Sequence, residues 1–170
     1  MAVVSVEAGS DTLQDAYDDA SDGDVLELAD GTYTSTQNPL LSITDRNITI
    51  RALNLGQAIL KGYGRRVIDV GSWAGLSGGT VVLHGLHITK GRGINAANAV
   101  SAFILNLPQL PSVAPLEFLC VHNPSHLLFQ GGGIRIYGTS TVVTISYCDI
   151  YSNNASGSVR RTGFEFETIP

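Results

Sequence analysis

Thr80-Val-Val-Leu-His-Gly-Leu-His-Ile-Thr89 is the stretch on which the fold turns, because the same unit returns as Val142-Val-Thr-Ile-Ser-Tyr-Cys-Asp-Ile-Tyr151 at an offset of 62 residues. The alignment pairs Val81 with Val143, Leu83 with Ile145, Leu86 with Cys148 and Ile88 with Ile150, and every one of these positions is apolar. At an offset of 33 the unit also matches Asn47-Ile-Thr-Ile-Arg-Ala-Leu-Asn-Leu55, which puts Ile48, Ile50, Leu53 and Leu55 in the same four columns. Apolar positions alternate with polar ones, the period of strands buried on one face. Units of this kind bury their inward side chains only by stacking on their own copies.

Working outward, Gln57–Lys61, Arg66–Val70 and Gly133–Tyr137 read as strands on other walls of the same stack, with corners at Gly62, Gly64, Gly71, Gly91, Gly93 and Gly131–Gly133. The fold class expected is all-β, a single domain over residues 1–170 built as a parallel β-helix of about five coils. In front of the repeats, Leu13, Ala16, Tyr17 and Ala20 recur at helical spacing, with Asp11 as a candidate N-cap and Gly23 beyond the end. A short helix over residues 11–21 is therefore expected to cap the apolar end of the first coil.

The offset of 62 is too long for one coil, and the excess lies in Ile94–Gln130, a segment of 37 residues whose removal leaves 62 − 37 = 25. This segment holds Pro108, Pro111, Pro115 and Pro124 and shows no clean period, so residues 94–130 are expected to be an irregular insertion, open to the reading that it is retained non-coding sequence. Residues 157–170 read as an irregular tail.

With 44% hydrophobic and 15% charged residues the chain is not of disordered composition, and at a formal charge of −5 it carries no basic block to neutralise phosphates. Nucleic acid is not expected as a partner. The prolines break the apolar stretch from Ala99 to Leu128, so no transmembrane segment is expected. Met1-Ala-Val-Val-Ser-Val-Glu7 shows neither the basic nor the apolar region of a signal peptide, which reads as a cytosolic chain or a fragment. Cys120 and Cys148 sit in unlike contexts, and no disulfide is inferred.

Two segments carry a family likeness. Leu13–Tyr33 resembles the N-terminal cap and first coil of pectin-lyase-like right-handed β-helix proteins, and Gly131–Tyr137 with Val143–Ala155 resembles repeats of that superfamily, above all those of adhesins and large surface proteins. The likeness covers roughly residues 10–93 and 131–156. It implies a right-handed winding and an extracellular or cell-surface setting. Because the scaffold hosts polysaccharide lyases, glycoside hydrolases and adhesins alike, it fixes no activity.

If the apolar columns face inward, the residues between them form outward rows: Thr49, Val82 and Thr144; Arg51, His84 and Ser146; Asn54, His87 and Asp149. Arg51, His84, His87 and Asp149, with Lys90 nearby, are the candidate ligand-binding residues, able to hydrogen-bond a sugar or, in a lyase, to stabilise a carboxylate and take a proton. The plainer reading is a solvated outer face. Lyases of the superfamily often use calcium held by carboxylates, but Asp11, Asp15, Asp18, Asp19, Asp22 and Asp24 lie on a short helix and its flanks and read as a solvated acidic surface, since calcium needs converging oxygens and not density alone. No cofactor is assigned, and calcium is left unsupported. His122 and His126 flank Pro124 without a third ligand, so zinc is not expected. Cys148, in a core column, reads as a small buried residue.

Asn47-Ile-Thr49 and Asn154-Ala-Ser156 match the glycosylation acceptor pattern, but a corner role for Asn153 and Asn154 is preferred. The function expected is a non-catalytic surface module binding carbohydrate or another surface. The alternative is a polysaccharide lyase or glycoside hydrolase, complete or truncated. Ice binding would need a threonine ladder, which Val82 interrupts.

Overall fold

The structure is a computed structural model that describes residues 1–71, 79–93, 119–122, 129–130, 132–136 and 141–155. Its elements begin with β1 (Val3–Val6), α1 (Thr12–Asp19), β2 (Val25–Leu28), β3 (Gly31–Tyr33), β4 (Leu41–Ile43), β5 (Ile48–Ala52), β6 (Ala58–Lys61) and β7 (Ile68–Val70). They continue with β8 (Thr80–His84), β9 (Leu86–Thr89), β10 (Arg92–Gly93), β11 (Leu119–His122), β12 (Phe129–Gln130), β13 (Ile134–Ile136), β14 (Val142–Ser146), β15 (Asp149–Tyr151) and β16 (Asn154–Ala155). The chain is mostly β, as expected. No helix among the described residues is long and apolar enough to cross a membrane.

The strands form three sheets, ordered β1-β2-β5-β8-β14-β11, β3-β6-β9-β15 and β4-β7-β13-β12, and a short pair β10-β16. The chain visits the sheets in rotation. It runs through β2, β3 and β4, then β5, β6 and β7, then β8, β9 and later β13, then β14 and β15. Each of these strands lies parallel to its counterpart in the neighbouring circuit. Among the described residues, antiparallel pairing occurs only where β11 lies on β14 and β12 on β13.

The registers agree with most of the repeat alignment. Val81 pairs with Val143, Leu83 with Ile145 and Ile88 with Ile150, and one circuit earlier Ile48 pairs with Val81 and Ile50 with Leu83. The second half of the offset-33 match is wrong. Ala58 and Leu60, not Leu53 and Leu55, pair with Leu86 and Ile88, an offset of 28, and both leucines are 57% exposed. Residues 53–57 form a longer corner where the next circuit has Gly85 alone. Gly85 takes φ +69, and the Leu55 side chain lies where a Cβ would stand, so both its backbone and its space favour glycine.

Helix α1 packs at the first circuit, with Leu13 and Tyr17 buried in the core. The Tyr17 hydroxyl donates to Thr44 O at 3.0 Å and accepts from Thr44 N at 2.9 Å. Arg46 donates to Tyr17 O and Ala20 O at 2.6 and 2.8 Å, which satisfies carbonyls at the helix end, and stacks on the Tyr17 ring. Asp11 is not the side-chain cap expected. It sits at φ 65 without a capping bond, and its carboxylate instead accepts from Ser35 and Thr36 across the corner. Asp22 and Asp24 are likewise committed, to Asn47 and to the backbone N–H groups of Ala2 and Ser21. Hydrogen bonds therefore account for these three carboxylates.

Between the sheets, Leu26, Leu28, Ile50, Leu60, Leu83 and Ile88 are fully buried. Tyr33 joins them, its hydroxyl 2.7 Å from Val6 O and 2.9 Å from Ala29 O, and burial pushes its pKa up to about 12. Asn47 is a structural link between circuits: it bonds Asp22 below, and its Oδ1 accepts from Thr80 N above.

Most of residues 94–130 and the whole tail 157–170 lie outside the described residues. The flanks of the insertion meet, since a Cβ on Gly91 would overlap the carbonyl of Gly132. The chain thus leaves and rejoins the circuits at one place.

Candidate functional site

Parallel stacking brings equivalent outward residues of successive circuits side by side, and two sheets carry the residues singled out in the sequence. On the first sheet, Glu27, Arg51, His84 and Ser146 are neighbours in register. These groups satisfy one another. Arg51 Nε donates to Glu27 at 2.9 Å with a second contact at 2.7 Å, and His84 Nδ1 lies 2.8 Å from Ser146 Oγ. The His84 ring also meets Tyr147 edge-on, with centroids 5.1 Å apart.

His87 and Asp149 belong to a different wall. They are in register on the second sheet, and Ile59, not Asn54, is their partner in the preceding circuit. Asn54 lies in the longer corner and donates to Asp30. Lys90 is exposed at the following corner, with φ 57. The five candidates are therefore split: Arg51 and His84 on one face, His87 and Asp149 on another, and Lys90 beyond β9.

The second sheet carries a further row that sequence reasoning missed, Lys61, Thr89 and Tyr151. Tyr151 is 44% exposed on strand β15, and its ring lies 4.7 Å from that of His87 at a 56° tilt. Lys61 extends over the ring of Tyr63, itself 65% exposed, at 4.5 Å. Between Lys61 and Tyr151 in this row, Thr89 is only 5% exposed, and neither Thr89 Oγ1 nor His87 Nε2 has a hydrogen-bond partner. A buried polar atom without a partner is costly, and two on one short strand are unusual. The signal was present in the sequence, since Thr89 and Tyr151 end the same repeat unit.

A second cluster that the sequence reading missed lies on the third sheet. Asp69, 3% exposed, bridges Arg66 at 3.3 Å and Arg135 of the neighbouring circuit. Burial raises the Asp69 pKa, although both guanidiniums pull it down. Charged residues inside the predicted strands Arg66–Val70 and Gly133–Tyr137 were its trace. Cys148 is partly buried, packed against the core rather than within it, with its Sγ 3.4 Å from Leu86 N and its pKa pushed up to about 11 by burial, which suits an inert thiol.

No family model matches this chain, and no curated protein matches it. Among solved structures it is similar to the PL6 family alginate lyase AlyGC, at 28% identity over 58% of this chain and a TM-score of 0.45. It is similar as well to an arginine-to-alanine mutant of AlyGC, at 30% identity over 58% of this chain and a TM-score of 0.44. The chain spans 13% and 12% of the length of those two structures.

Proposed function

We propose that this chain is a right-handed parallel β-helix module of a surface or extracellular protein, and that it binds carbohydrate on the outer face of its second sheet. The rotation of the chain through three parallel sheets, with inward columns in register, supports the scaffold. One observation carries the binding reading: the second sheet sets the exposed ring of Tyr151 beside the exposed Asp149, with the exposed Lys90 at the next corner, whereas the polar row of the first sheet is spent on internal bonds. An aromatic ring offers a flat apolar surface to the C–H face of a sugar, and neighbouring donors and acceptors take its hydroxyls.

The test is a panel of neutral and acidic polysaccharides, followed by affinity electrophoresis for binding and by assays for unsaturated products and new reducing ends. Retardation without products is the expected result. Product formation would replace this reading with a polysaccharide lyase or glycoside hydrolase. An Arg51→Ala or His84→Ala variant is expected to bind as the parent does, because both groups are occupied on the other sheet.

A further inference from the structure

Resting on that reading, we infer that the ligand is anionic and that Lys61, Arg65, Lys90 and Arg92 hold its charged groups at the corner where the second sheet turns toward the third. The four residues belong to two adjacent circuits. Lys61 stands in register with Thr89, the residue before Lys90, and the backbones continue side by side, with Gly64 N donating to Lys90 O at 3.1 Å and Arg92 N to Arg65 O at 2.8 Å. Neighbouring circuits lie about 4.8 Å apart, so the four cations share one short ridge. Arg65, Lys90 and Arg92 are exposed, and Lys61 is half-buried.

The first ground is that these charges are uncompensated. Among the described residues none of the four meets a carboxylate at salt-bridge distance, whereas Arg51 pairs with Glu27, and Arg66 and Arg135 share Asp69. With 15 acidic residues against 10 basic ones, the chain did not lack partners for them. Like charges side by side on neighbouring strands oppose folding, so a chain selected for stability alone would intersperse acids here. The flanking elements do not cancel the corner. Asp11 accepts from Ser35 and Thr36 on the side of the first circuit, and Asp149 stands beside His87, one row behind Tyr151. Four cations against these two carboxylates leave an excess of two positive charges, in a chain whose formal charge is −5.

The second ground is that two of the cations are anchored beside exposed rings. Arg65 Nη1 donates to Ser35 O at 3.2 Å and to Thr36 O, which ties the guanidinium to the corner of the first circuit. Lys61 Nζ lies 4.5 Å over the ring of Tyr63, which is 65% exposed, and Tyr151, 44% exposed, ends the row of Lys61 and Thr89. Anchored side chains lose less freedom on binding than free ones, and exposed rings take the C–H faces of sugars. A guanidinium grips two oxygens at once and an ammonium acts as a point charge, which suits a carboxylate, a sulfate ester or a phosphate ester alike.

Dextran, dextran sulfate and carboxymethyl dextran share one backbone and differ in charge, so affinity electrophoresis in the three polymers is the test. The parent is expected to be retarded by a charged dextran and not by dextran itself. Retardation by dextran sulfate alone assigns sulfate or phosphate esters, and retardation by carboxymethyl dextran assigns carboxylates. Lys90→Gln with Arg92→Gln should weaken the interaction about tenfold, the order expected for two exposed ion pairs, and should melt no lower than the parent because a repulsion is relieved. Lys90→Gln and Arg51→Gln change the net charge equally, yet only the first is expected to lose affinity, since Arg51 is spent on Glu27. Equal losses in those two variants would show adsorption by overall charge and overturn the site. A double variant that melts clearly lower would show the cations to serve the fold, and would also overturn it. A parent retarded by neither charged dextran overturns the anionic class: if it still binds a neutral polysaccharide the carbohydrate reading stands, and if it binds none that reading falls as well.

Discussion

In the two circuits between residues 25 and 70, Leu26, Leu28, Ile50 and Leu60 are at 0% exposure, whereas in the last circuit Ile145, Cys148 and Ile150 are only partly covered. The residue types are similar, so hydrophobicity does not explain the contrast. Position does. An inward side chain in a middle circuit has a neighbour above and below, and at the front α1 supplies the missing layer with Leu13 and Tyr17. At the far end β11 and β12 extend the first and third sheets, while the second sheet ends at β15. Stability in such a stack is a sum over interfaces between circuits, and the last circuit has fewer of them.

The largest expected effect separates the two regions directly. Ile50→Ala should cost about 3–4 kcal/mol and Ile150→Ala about 1 kcal/mol, because the second site is already partly open and can relax. Urea unfolding of the two variants measures both. Equal losses would break the comparison.

A smaller effect should appear in acid, and at the front. Hydrogen bonds from Ser35 to Asp11, from Asn47 to Asp22 and from Ala2 to Asp24 lower the pKa of each carboxylate below 3.8. Groups lowered in this way contribute stability that is present above the unfolded value and is lost as pH falls through the folded one. Asp69 has the opposite sign, since its raised pKa means that the folded chain holds the proton more tightly and acid favours the fold there. Hydrogen exchange followed from neutral pH to about 3 should therefore show the helix and first circuit loosening while β7 and β13 keep their protection. Asp24→Asn should flatten the response at the front; an unchanged profile would count against these bonds.

The smallest effect concerns residues 94–130. Because Gly91 lies against the carbonyl of Gly132, the circuits are already close on the two sides of the segment that joining Gly93 to Gly131 would remove. The shortened chain is expected to melt within about 4 °C of the parent, since among the described residues it loses the edge pairings of β11 and β12. Loss of folding would show that the segment belongs to the scaffold.

The offset-62 repeat was legible because both copies alternate within each strand and break at the same place, Gly85 and Tyr147, and a slip of one residue would turn every strand side chain to the wrong face. Leu53 and Leu55 misled for the same physical reason. Two leucines at i and i+2 imitate a strand, yet they sit in a five-residue corner that only the pairing of Ala58 with Leu86 reveals. That slip carried Asn54 into the row of His87 and hid Lys61 beside Thr89. The polar row of Arg51, His84 and Ser146 was found, but that it is satisfied internally depends on Glu27 one circuit earlier, which no repeat alignment included. The burial of Thr89 was beyond reach for a similar reason, because the side chains beside it arrive from neighbouring circuits.

Tyr33 lies within the first circuits with two carbonyls around its hydroxyl and a pKa of about 12. In the unfolded chain the same phenol ionises near 10, so between these values alkali draws the chain toward the open state. The deepest tyrosine among the described residues is thus an optical clock set inside the stack. Its phenolate absorbance at a pH between the two values rises only as fast as the first circuits come apart, and timing that rise would measure their lifetime without any label.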